Sequence, residues 1–199
     1  MSSSRIILAG VVGGIAMYAW MSVAHMALPL ATAGISQVNN NEAALLAQMH
    51  GTLGETSGLY MFPSFGTPDQ KVLSMTEYQK RLDANPSGML IYHPPGRQAL
   101  NPVQFVTEFL LEVFEAFLAV LLLAQTRLTR YAARVAFVTG LGVLASLGTN
   151  ISYWNWYGFP GSYTAAYMVT QIVGFLAAGL VGAALMRPVA QLRPQPVAV

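Results

Sequence analysis

No cysteine occurs anywhere in the 199 residues. That excludes disulfides, thiolate metal sites and cysteine nucleophiles, and it leaves the redox compartment undetermined. Charge is almost as scarce. Lys, Arg, Asp and Glu together make up 9% of the chain, where a typical soluble domain carries about 25%. Ten basic and eight acidic residues cannot dress a soluble surface, so a soluble enzyme is ruled out. The chain is not disordered in composition either, because disordered segments are polar and highly charged. P-loop, dinucleotide-fingerprint, HExxH and Ser-His-Asp patterns are all missing. Arg5, Arg127, Arg130, Arg134, Arg187 and Arg193 flank apolar runs, so the net charge of +2 is no sign of a nucleic-acid partner.

What the chain does have is apolar length, with 54% hydrophobic residues. Four runs stand out: Ile6 to about Leu30, Val103 to Ala124, Ala132 to Ile151, and Tyr163 to Met186. Each is close to the ~20 residues that cross a ~30 Å hydrocarbon core. Backbone in lipid must satisfy its own hydrogen bonds, so all four read as helices. Arg5 and Ala31-Thr32-Ala33 around the first run imitate a signal peptide. Its apolar stretch is longer than the usual ~7–15 residues of such a segment, which favours a retained helix.

Orientation follows from Lys and Arg in the connections. The six arginines named above fall on one side with no acidic residue among them. The 31–102 segment holds Lys71, Lys80, Arg81 and Arg97 against Glu42, Glu55, Asp69, Glu77 and Asp83. Both termini are therefore expected on the cytoplasmic side. The expected fold is all-α: a four-helix transmembrane bundle with a small α or α+β extracytoplasmic loop domain. Its organisation is a membrane helix within 1–30, the loop domain at 31–102, and membrane helices at 103–124, 132–151 and 163–186. A cytoplasmic loop at 125–131, an extracytoplasmic aromatic loop at 152–162 and a cytoplasmic tail at 187–199 complete it. Tyr153, Trp154, Trp156, Tyr157 and Tyr163 form an aromatic belt suited to an interface.

Within the loop domain, Asn41 begins a short helix that runs to about Met49. Ser74-Met75-Thr76-Glu77 is a capping box for a second helix ending near Ala84, ahead of Pro86. The segments Gly58–Pro63 and Gly88–Pro94 resemble each other, and both are apolar and bounded by Gly and Pro. They read as a two-stranded patch with the 75–84 helix across it, or as extended segments.

The second run carries Glu108, Glu112 and Glu115, which the spacing puts on one helical face. Carboxylates at the centre of a span are costly and are functional candidates by default. Similar stripes occur in the other runs: Tyr18, Ser22 and His25; Gly142, Ser146 and Thr149 with Asn150; Tyr167, Gln171 and Gly174. Four such stripes suggest inward faces of one bundle, polar toward the outside and apolar toward the cytoplasm. Apart from Arg134 at the start of the third run, no Lys or Arg lies within a run, so the carboxyls are carried as protonated acids, beside a bound cation, or in water. Glu108, Glu112, Glu115 and His25 form a candidate metal set, for which a divalent cation is the fitting cofactor. Tyr18, Ser22, Ser146, Thr149, Asn150, Tyr167 and Gln171 are expected to line the pocket. Small residues at Gly10 and Gly14, and at Gly174, Ala178 and Gly182, provide faces for close packing within the chain or between chains.

Tyr92-His93-Pro94-Pro95-Gly96 and Tyr153-Trp154-Asn155-Trp156-Tyr157-Gly158-Phe159-Pro160 give the chain a resemblance to small bacterial four-span inner-membrane proteins of unassigned function. That resemblance implies a bacterial inner membrane and no particular activity. The expected function is a non-enzymatic binding or accessory subunit with an outward-facing acidic pocket. Its partners are the lipid bilayer and either further copies of the chain or other membrane subunits. Two alternatives stand beside it: a cation or proton transporter using the glutamate stripe, and a membrane-embedded enzyme acting on a lipid or quinone.

Overall fold

The computed structural model describes residues 2–38, 40–67, 69 and 71–186. The tail expected at 187–199, with Arg187 and Arg193, lies outside the described residues. In chain order the elements are α1 (Ser3–Met26), α2 (Glu42–Leu53), β1 (Gly58–Phe62), α3 (Met75–Ala84), β2 (Gly88–Tyr92), α4 (Pro102–Ala124), α5 (Tyr131–Tyr157) and α6 (Gly161–Leu185). The chain divides into two compact units. One comprises the described residues of 1–34, 101–152 and 160–199; the other comprises those of 35–100 and 153–159.

The long helices make the first unit. α1, α5 and α6 are long and apolar enough to cross a membrane by length and composition. α4 has 23 residues and carries the three carboxylates. Asn101 starts it, its side chain accepting from the Val103 amide at 2.9 Å with Pro102 at the first helical position. α1 ends at Met26, short of the expected Leu30, where Pro29 disfavours continued helix. A larger correction concerns 152–162. This segment is no loop until its end, because α5 continues through Tyr157. Nothing in Ser152–Tyr157 breaks a helix. Termination waits for Gly158, whose φ of 70° is a left-handed conformation that suits glycine, with Pro160 beyond it.

Small residues set the packing of this unit. A Cβ on Gly10 would lie 2.8 Å from the Phe117 Cα, and one on Gly14 would run into Val113, so α1 and α4 touch backbone to backbone. On its other side α1 meets α6, with Gly13 against the Ala178 carbonyl and Met17 against Gly174. Gly142 of α5 receives the Phe175 ring of α6, and Gly179 of α6 receives Val138. Both small-residue faces seen in the sequence therefore pack within the chain. The core they surround includes Ala9, Met17, Ala116, Val120, Val138 and Ala178. Rows such as Leu110, Leu111, Phe114 and Leu122 stay exposed, a surface that only an apolar solvent or a partner accommodates without cost.

The second unit holds the small sheet. β1 and β2 pair antiparallel in register from Gly58↔Tyr92 to Phe62↔Gly88. The resemblance between the two segments thus reflects a strand pair. α3 is anchored on the connection after β1: the Phe65 ring packs against Tyr78 at 4.6 Å, tilted by 35°, and Arg81 donates to the Ser64 and Gly66 carbonyls. α2 runs four residues past the expected Met49 and stops at Gly54, which has a φ of 61°. The Tyr92 hydroxyl donates to the Gly54 carbonyl at 2.9 Å and meets His50 Nδ1 at 3.3 Å, tying the end of α2 to β2. Asn41 precedes α2 without a side-chain cap bond, and its φ of 56° is left-handed.

The Ser74–Glu77 capping box is present in both directions. The Ser74 hydroxyl donates to Glu77 Oε2 at 2.6 Å and the Ser74 amide donates to it at 3.0 Å. These two bonds, hydroxyl first, hold the Glu77 carboxyl below its ordinary value of 4.5. A depressed folded pKa stabilises α3 above the unfolded value and loses that contribution as pH falls through the folded one. The expected outcome is a Glu77 carboxyl NMR titration with its midpoint below 4.5, shifted upward by Ser74→Ala. A midpoint unmoved by that substitution contradicts the box.

The glycine contacts give a second expectation. Gly14→Leu should lower stability by about 1–3 kcal/mol or more, as overpacking does when backbone must move. Gly148, with nothing within 4 Å of a Cβ, should accept alanine with little change. Thermal melts of the detergent-purified protein compare the two.

Candidate functional site

Register across the long helices places the carboxylates. Val113 of α4 lies against Gly14 of α1, Ala116 against Gly13, and Val120 against Gly182. Glu112, next to Val113, is therefore near the mid-length of both α1 and α4. It is 2% exposed, and its Oε2 has no hydrogen-bond partner. Glu108 is exposed and Glu115 is half-buried, one helical turn to either side. No Lys or Arg pairs with any of the three among the described residues, where His50–Glu55 at 3.5 Å is the only ion pair.

The remaining stripe residues mostly bond to their own helices. Ser22 Oγ donates to the Tyr18 carbonyl at 2.9 Å, and His25 Nδ1 to the Met21 carbonyl at 2.8 Å. Buried Ser146 donates to the Val143 carbonyl at 2.9 Å, and Asn150 donates to the Ser146 carbonyl at 2.9 Å. Cross-helix contact comes from rings. Tyr18 meets Phe109 of α4 edge to face at 5.4 Å, and His25 meets Tyr167 of α6 at 6.3 Å. Tyr167 stacks on Tyr163 at 4.4 Å. Gln171 is half-buried and Thr149 is exposed.

The metal set expected from the sequence is not gathered. Among the described residues, no three His, Asp or Glu side chains form a group able to hold a metal ion. The physical reason is direction. His25 is near the end of α1 and is held by its own backbone, while Glu112 sits at mid-length. Glu108, Glu112 and Glu115 climb one helix by a turn each, which spreads them over about 10 Å. Helical periodicity predicts a shared face but not convergence on a point.

Several polar residues of the interior escaped the sequence reading. Trp20 Nε1 donates to the Thr170 carbonyl at 2.8 Å, joining α1 to α6. Thr170 is buried and its hydroxyl donates to the Ala166 carbonyl at 2.8 Å. Thr164 is buried with Oγ1 unpartnered. The available signal was the row Gly174, Ala178, Gly182, which continues one turn back to Thr170 on the same face.

A hydrophobic replacement at Glu112 has a predictable sign. A buried polar atom without a partner costs about 1–3 kcal/mol. Glu112→Leu removes that cost and strands no protein group on Oε2, so it should raise stability by an amount in that range. Glu112→Gln keeps the shape and should change stability less. Melts of the two variants check this; a destabilised Glu112→Leu would mean that the carboxyl holds the bundle together. Against this geometry, no protein family matches the chain, and no curated protein or solved structure matches it.

Proposed function

We propose that the protein is a four-span integral membrane protein of the bacterial inner membrane, with both termini cytoplasmic, that serves as a non-enzymatic binding or accessory subunit. In this reading α4 spans beside α1, α5 and α6, and its carboxylate row is completed by a group from outside the chain. The observation that carries it is the buried Glu112 with no partner on Oε2, flanked by two further carboxylates that no cation pairs among the described residues. Stability alone does not favour such a residue, because an apolar side chain of similar volume would pack there without the polar penalty. Sites of this kind mark function at the expense of stability. A cationic or hydrogen-bonding side chain of a membrane partner meets the exposed Glu108 and half-buried Glu115, one turn to either side of Glu112. Orientation is supported by the arginines at 127, 130 and 134 and by their absence from 152–162.

A second reading draws on the same residue. A buried carboxyl at mid-span is suited to accept and release a proton, which would make the protein a proton carrier. The two readings separate experimentally.

The native chain has no cysteine, so single-cysteine variants report topology cleanly. Lys80→Cys should react with an impermeant maleimide in intact cells, and Arg130→Cys only after permeabilisation. Labelling of Lys80→Cys solely from inside overturns the orientation. For function, a partner polypeptide should co-purify from native membranes with the wild type and fall about tenfold in Glu108→Gln or Glu115→Gln, the loss of roughly one charge-assisted contact. A wild type that purifies alone, yet carries a proton flux in proteoliposomes that Glu112→Gln abolishes, would replace the subunit by the carrier.

A further inference from the structure

The arginines at the other end of the long helices do more than bias topology. Arg134 lies in the first turn of α5 and is 5% exposed. One of its guanidinium nitrogens, Nη1, donates to the carbonyl of Met186, the residue that closes α6. That contact fits a cation at a helix C-terminus. It does not account for Nε, which is buried without a partner. No carboxylate pairs with Arg134 among the described residues. A buried guanidinium without a counter-charge is expensive, and its position in the first turn of α5 sets it against that helix's dipole.

Arg134 also lines a cavity of about 310 Å³ at the ends of α4 and α6. Arg127, exposed on the 125–130 connection, is a second cation on its wall. Thr129 lines it as well. The Thr126 hydroxyl is already engaged with the Leu123 carbonyl at 2.8 Å and the Leu128 amide at 3.4 Å. The other walls are apolar, from Leu123, Leu128 and Met186. Among the described residues the lining offers two cations, no anion and apolar walls, which are complementary to an anionic group carried on an apolar body.

We propose that this cavity binds a phosphate-bearing anion, with Arg134 as the buried anchor and Arg127 closing over it from the surface. Guanidinium groups match phosphate oxygens with paired, charge-assisted hydrogen bonds, which a lysine ammonium does not reproduce. A phospholipid headgroup and free phosphate share this chemistry. The walls would also take the first methylenes of an acyl chain. The site is independent of the α4 carboxylates.

The test is binding to the full-length protein in detergent, stripped of lipid. Three probes are compared by native mass spectrometry and thermal shift: inorganic phosphate, phosphatidylglycerol and phosphatidylcholine. Binding of phosphatidylglycerol well above phosphatidylcholine, without phosphate binding, supports a lipid headgroup. Binding of inorganic phosphate supports a soluble anion. Retention of neither anion overturns the site. Arg127→Gln leaves the exposed connection free to fold and should weaken the favoured anion about tenfold, one charge-assisted hydrogen bond's worth. Arg134→Lys keeps the charge and should weaken it too. Affinity unchanged in both variants places any bound anion elsewhere and overturns the proposal.

Discussion

α1 lies between α4 and α6, and side chains missing from α1 make that arrangement possible. Gly10 and Gly14 bring its backbone onto Phe117 and Val113, while Gly13 brings it onto Ala178. Helices in an apolar solvent gain nothing from hiding leucine, because the solvent is as apolar as the core. Their association rests on dispersion over closely fitted surfaces, which falls off steeply with a gap of even an ångström. The register of α4 against α1 follows from those glycines, and so does the depth of Glu112. α6 repeats the device toward α5, where Gly142 admits Phe175. A carboxyl near mid-length is thus a consequence of where three glycines fall in α1.

The interior so formed is polar in a particular way. Its hydroxyls and amides turn back to carbonyls of their own helices, as those of Ser22, Ser146, Asn150 and Thr170 do. Each of those groups is satisfied locally before any cross-helix contact forms, so none of them fixes the neighbour's position. Glu112 has no such exit for Oε2. The buried Thr164 hydroxyl is likewise unpartnered, but Glu112 brings an ionisable carboxyl to mid-length, a choice that packing does not explain.

The two ends of the first unit differ in chemistry. One gathers rings and an imidazole, with His25 against Tyr167 and Tyr167 against Tyr163. The other gathers arginines around the last turns of α4 and α6. Aromatic groups tolerate a boundary between apolar and wet surroundings, and arginines seek anions. In the second unit, a tyrosine hydroxyl ties β2 to the end of α2, and one guanidinium nitrogen of Arg81 ties α3 to the connection after β1. Its elements lack a large apolar core, and its helices contain no buried residue.

Local order was legible in the sequence wherever one residue decides the outcome. Pro102 and Asn101 start α4, Ser74 and Glu77 cap α3, and Gly–Pro boundaries frame β1 and β2. Composition and run length were enough for the three long apolar helices. The end of α5 was not legible, because the aromatic composition of 152–157 suits an interface loop as well as a helix, and the helix persists for want of a breaker before Gly158. The site was legible only as a face. Periodicity says that Glu108, Glu112 and Glu115 share a side of one helix, and it gives no distance to any other helix. Which carboxyl is buried, whether His25 reaches it, and that Arg134 is enclosed beside the end of α6 all depend on helix register and crossing. Those are fixed by contacts between residues more than a hundred positions apart in the case of α1 and α6, and no local pattern encodes them.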